Sequence, residues 1–186
     1  MTILTDAVQI RDEVIPRANT ATRVGDCLVA IANALTANAT INSASFIKDG
    51  ATTSTTDGDP VAVVGESSYE LFTGSGITIS EQDGYSYFSG LDATHAYALT
   101  YTGTVLADEA AVIEFSALDV DLNYIADALA TGGSVTATGI APFTYSPTVT
   151  GATDVVLGVG RIDSVDPLAL DINQISARCV DLGLAV

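Results

Sequence analysis

The feature that most constrains this chain is a change of hydrophobic period near residue 40. Downstream of it, the stretches TINSASFI, GITIS, GYSYFSG, HAYALTYTGTVL and GSVTATGIAPFTYSP alternate apolar with small polar residues. Period two puts successive side chains on opposite faces of a strand, so each stretch predicts a half-buried antiparallel strand. Glycine-bearing turns separate them, and Thr, Tyr, Val and Ile are enriched. The expectation is a mainly β body over 39–186, an antiparallel β-sandwich of jelly-roll-like form. Within it, DVVLGVGRI predicts a buried strand and QISARCVDLGLAV a last strand. The apolar ending of that last strand predicts burial or packing against another subunit. Lys48–Pro60, KDGATTSTTDGDP, predicts a long surface loop, and DLNYIADALATGG a short helix closed by Gly132 or Gly133.

Upstream of residue 40 the period is different. Val24, Leu28, Ile31 and Leu35 recur at spacings of four, three and four, which is the seam of a coiled coil. The spacing predicts a helix over 22–38, capped by Asn19, Thr20 or Thr22. Leu28 and Leu35 fall at a, Val24 and Ile31 at d, a choice that leans toward trimers or tetramers. Cys27, Ala32 and Ala34 flank the seam where a solvated coiled coil would carry Glu and Lys. Two heptads are too few to hold together alone in water, so this helix needs partners or a sheet to pack on. Before it, residues 1–21 predict an extended arm, because Pro16 disfavours helix at Ile15.

Charge separates the two regions. Residues 1–23 balance Arg11, Arg17 and Arg23 against Asp6, Asp12 and Glu13, whereas the remainder carries the whole net charge of −17. Such a surface repels phosphate backbones and anionic lipid, which argues against nucleic-acid and membrane partners. The first residues, MTILTDAVQI, lack the basic and apolar regions of a signal peptide, so synthesis in a cytoplasm is expected.

The residue types that carry chemistry are sparse. His95 is the one histidine, inside an alternating strand, where a structural role is expected. Motifs for a nucleophile elbow, a phosphate loop or a zinc protease are absent. Cys27 and Cys179 lie in apolar surroundings and predict free buried thiols. Asp119–Asp127, DVDLNYIAD, imitates the start of a calcium loop, but Tyr124 replaces its glycine and Ala130 its glutamate. Alternation predicts a strand there instead, with Asp119, Asp121 and Asn123 on one face. No enzyme activity, catalytic residue, metal site or cofactor is expected. A divalent cation at subunit contacts is the one exception, since like charges meeting there need an offset.

One stretch carries a family resemblance. Ile10, Arg11, Asp12, Glu13, Ala18, Asn19, Thr20, Arg23, Val24 and Gly25 form IRDE…ANT…RVG, followed by an apolar helix pattern. This resembles the N-terminal docking segment of tailed-bacteriophage virion proteins, particularly fibre and fibre-adaptor proteins. It covers about 27 of 186 residues and departs from the pattern at Arg17, where glycine is expected. The resemblance implies a non-enzymatic virion protein, made in the host bacterial cytoplasm, that docks by its N-terminus and is homotrimeric. Docking and oligomerisation would then fall to Arg11, Asp12, Glu13, Asn19, Arg23, Val24, Gly25, Leu28, Ile31 and Leu35. The expected role is a head fibre or capsid-decoration protein whose arm meets other virion proteins. The alternatives are a tail, collar or baseplate component, or a carbohydrate-binding receptor module for a host-surface glycan.

Overall fold

The computed structural model describes residues 28–29, 42–55, 60–65, 67–73, 76–126, 134–162 and 168–185. The chain divides into two units, Met1–Ile41 and Asn42–Val186. The second is antiparallel β throughout its described residues. Its strands are β1 (Ser43–Asp49), β2 (Thr52–Thr55), β3 (Val61–Ala62), β4 (Ser67–Thr73), β5 (Thr78–Gln82) and β6 (Tyr85–Ser89). There follow β7 (His95–Leu118), β8 (Tyr124–Ala126), β9 (Ser134–Tyr145), β10 (Thr148–Thr150), β11 (Asp154–Arg161) and β12 (Leu168–Leu184).

The main path of the sheet runs β4-β1-β12-β7-β11-β6-β5. The 24-residue β7 is its spine. On one side its first half pairs with β12 and its last residues with β11; on the other it carries β10, β9 and β8. A shared strand of that length lets the sheet curl onto itself. Phe46 of β1 and Phe88 of β6 show that it does so. In the flat order they are four strands apart, roughly 19 Å at the usual spacing, yet their rings lie 5.2 Å apart. The result is a nearly closed, jelly-roll-like sheet. An aromatic file fills it, from Phe88 to Tyr101 at 6.4 Å and from Tyr101 to a stacked Tyr145 at 6.3 Å. Phe115 and Phe143 stack at 4.3 Å in the same core. The small second core of Ala62, Leu118 and Val156 is covered by Tyr85 and Tyr87.

Register defines the opposite, outward face of β1, β12, β7 and β9. Ile47, Ser176, Thr102 and Thr144 form one transverse row, and Ser45, Arg178 and Thr100 the next. Further rows hold Ser43, Val180, Ala98 and Thr148 on one side, and Asp49 with Gln174, then Thr104 with Pro142, on the other. β12 bulges between Ile172 and Ile175, which brings the Gln174 carbonyl over Gly103.

Several sequence expectations change here. Lys48–Pro60 is not a continuous loop: Lys48 and Asp49 end β1, and Thr52–Thr55 pair with β12 as β2. A Thr-rich edge strand has no apolar face, so it reads as loop. The 119–123 segment is a turn rather than a strand. Asp119 accepts hydrogen bonds from the backbone N–H groups of Asp121 and Asn123, both at 2.9 Å, and Leu122 takes φ 65°. The expected helix over 121–133 is replaced, in its described part, by the end of the Asp119 turn and by β8 on β7. In this chain the end of β12 is not buried, since Leu182 and Leu184 are exposed. The helix expected over 22–38 lies outside the described residues apart from Leu28 and Val29, and the arm over 1–21 lies outside them altogether.

Candidate functional site

Of the residues expected to dock and oligomerise, Arg11, Asp12, Glu13, Asn19, Arg23, Val24, Gly25, Ile31 and Leu35 lie outside the described residues. Leu28 lies within them. It is helical, as is Val29, and the two are 60% and 59% exposed.

On the β body, a cleft among the described residues lies over the second core. The β5–β6 hairpin closes with Asp83 and Gly84 at φ 52° and 83°, the left-handed pair that a two-residue hairpin turn demands. Strand alternation then turns Tyr85 and Tyr87 outward, away from buried Ser86 and Phe88. The Asp119 turn lifts Val120 and Leu122 opposite them, and Val156 forms the floor. Gln82 and Asp83 rim the cleft, which encloses about 140 Å³. A second backbone anchor fixes the turn, because the Val120 N–H donates to the Asp154 carboxylate at 2.8 Å. Hydrogen bonds from Asn123, backbone first and then side chain, hold the Asp119 carboxyl below its ordinary pKa. Two tyrosine faces beside an amide and a carboxylate suit a flat polyhydroxylated ligand, with rings for its apolar face and acceptors for its hydroxyls. GYSYFSG already places both tyrosines on one face; their partners across the cleft come from a turn that alternation disguises.

His95 belongs to a different place. Its Nδ1 lies 2.9 and 3.0 Å from the two Asp181 oxygens, and the same carboxylate accepts the Gly183 N–H at 2.8 Å. The neighbouring Thr94 hydroxyl donates to Asp92 at 2.7 Å. That bond and the Thr94 N–H lower the Asp92 pKa. With its adjacent hydroxyl turned to another acceptor, His95 clamps the start of β7 to the end of β12. Among the described residues, no group of three or more His, Cys, Asp and Glu side chains is placed to hold a metal ion. Cys179 is a free, buried thiol, pushed up to about 12 by burial and then by Asp181. Cys27 lies outside the described residues. Lys48, the one lysine of the chain, is 2% exposed and donates to the Gly84 carbonyl. Burial lowers its pKa, and Glu81 partly opposes that shift.

No protein-family model matches the chain. No curated protein matches it either. Among solved structures, the Eiger TNF of S. frugiperda is similar at 12% identity and a TM-score of 0.46, covering 78% of this chain and 95% of that one. Murine APRIL is similar at 14% identity and 0.44, covering 75% and 99%. The globular domain of the zebrafish complement 1qA protein follows at 8% and 0.38, covering 73% and 94%. These likenesses are too distant to speak to ligand or partner.

Proposed function

We propose that this chain is a non-enzymatic bacteriophage virion protein, a trimeric head fibre or capsid-decoration protein that its N-terminal segment attaches to the particle. The observation that carries the reading is IRDE…ANT…RVG over residues 10–25, which runs into the coiled-coil seam of Val24, Leu28, Ile31 and Leu35. A charge-balanced arm docks without the repulsion that an acidic body would meet. The seam sets the oligomer, and the β body is held outward. A particle reconstruction tests it directly: the arm is expected against a capsid protein, and density at the tail would favour the adaptor alternative. Particles that still incorporate a chain lacking residues 1–38 would overturn the docking role.

The tyrosine cleft favours a second reading, in which the displayed body binds a host-surface glycan. Binding on a glycan array, weakened at least tenfold by Tyr87→Ala, is the expected result. An array without a signal removes this reading and leaves the attachment role untouched.

A further inference from the structure

We propose that the outward face of β1, β12, β7 and β9 is the surface through which copies of this chain meet. The inference rests on the oligomeric reading above and adds to it a contact within the β body. Four of the 23 acids (Asp6, Asp12, Glu13 and Asp26) precede Asn42, so the body holds 19 acids against Lys48, Arg161 and Arg178. Lys48 and Arg161 are buried, so their charges do little to screen one body from another. Identical bodies with that balance repel wherever their acids face each other.

The outward face escapes this repulsion. From the Val180–Ala98 row to the Thr104–Pro142 row its side chains are Ser, Thr, Ala, Val, Ile, Pro and Gln, with Asp49 and Arg178 the charged positions among the described residues. Gln174 donates a hydrogen bond to the Asp49 carboxylate. Arg178, the exposed base of the body among the described residues, sits in this face between Ser45 and Thr100. Asp171 lies at the border, roughly 20 Å along β12 by strand rise. The acidic body has thus placed Arg178, its exposed cation among the described residues, in a wall with few charges. Arg178 of one copy can meet Asp171 or Asp49 of the next, which fixes register and excludes unrelated acidic surfaces.

Shape agrees with charge. A shallow depression of about 400 Å³ lies in this face between Thr102, Thr104, Pro142, Thr144 and Ser176. Beneath it β7 and β12 approach closely at Gly103, where the bulged Gln174 carbonyl and the Phe143 ring leave no room for a Cβ. Ile140, 68% exposed and two residues before Pro142 on β9, is a knob that could fill the same depression on a neighbour.

The test is solution mass, by light scattering, of the full chain and two charge-matched variants. Ser176→Glu with Thr144→Glu adds two carboxylates to the proposed contact at exposed positions. Thr78→Glu with Ala93→Glu adds two at exposed positions elsewhere. Circular dichroism checks that both keep their β structure. The first variant is expected to fall toward the 19.0 kDa single chain, with association weakened at least tenfold, while the second keeps the parent mass. A parent that is itself a monomer overturns both this inference and the oligomeric reading. An oligomeric parent whose Ser176→Glu, Thr144→Glu variant keeps its mass overturns the face alone.

Discussion

Cys179 lies fully buried in β12, opposite Leu99 of β7, and its thiol is pushed from 9.0 up to about 12 by burial first and the Asp181 carboxylate second. The folded chain therefore holds this proton after the unfolded chain has lost it. Stability from the group is complete below about pH 9 and is lost as pH rises toward 12, at about 1.4 kcal/mol per pH unit while one proton differs. Urea titrations of the parent and Cys179→Ala across that window should give a shallower alkaline slope for the variant; parallel slopes would refute the assignment. Lys48 acts oppositely. Its folded pKa is lowered, so the unfolded chain holds more protons below the ordinary value of 10.5, and stability rises as pH climbs toward it. Lys48→Met should abolish that rise and cost little at neutral pH, because the charge it removes is one that burial disfavours.

Elements depend on a few close approaches. Gly103→Ala forces a Cβ against both the Gln174 carbonyl and the Phe143 ring, so β7 and β12 must part. A loss of about 1–3 kcal/mol is expected, visible as a lower urea midpoint with an unchanged m-value. Phe143→Ala removes half of the Phe115 stack from the core and should cost about 3–5 kcal/mol. Strands with one wet face were legible in advance: GITIS, GYSYFSG and GSVTATGIAPFTYSP alternate because half of their residues face solvent. The second half of β7 was not. EFSAL, Glu114–Leu118, is buried throughout, so no period of two marks it. The reverse error arose at Asp119–Asn123, where alternating acids and aliphatics imitate a strand but Asp119 folds the backbone onto its own carboxylate. Neither the cleft nor the outward face could be read in advance. Both join residues far apart in sequence, and only register reveals which polar positions become neighbours.

At the scale of the molecule, the two units are expected to part cleanly. A chain of residues 42–186 should melt in one cooperative transition, with the β-sheet circular dichroism of the full chain. A truncated body that does not fold would contradict the separation at Ile41. The route to this fold is constrained by β12, which pairs with β1, β2 and β7, among the first and the most central strands, yet follows all of them in the chain. On the ribosome, β1 emerges some 125 residues before its partner, with one edge open and its apolar face unmet. The sheet can close only after β12 has been made. Folding is therefore expected to be slow, and the chain to be a client for chaperones until β12 emerges.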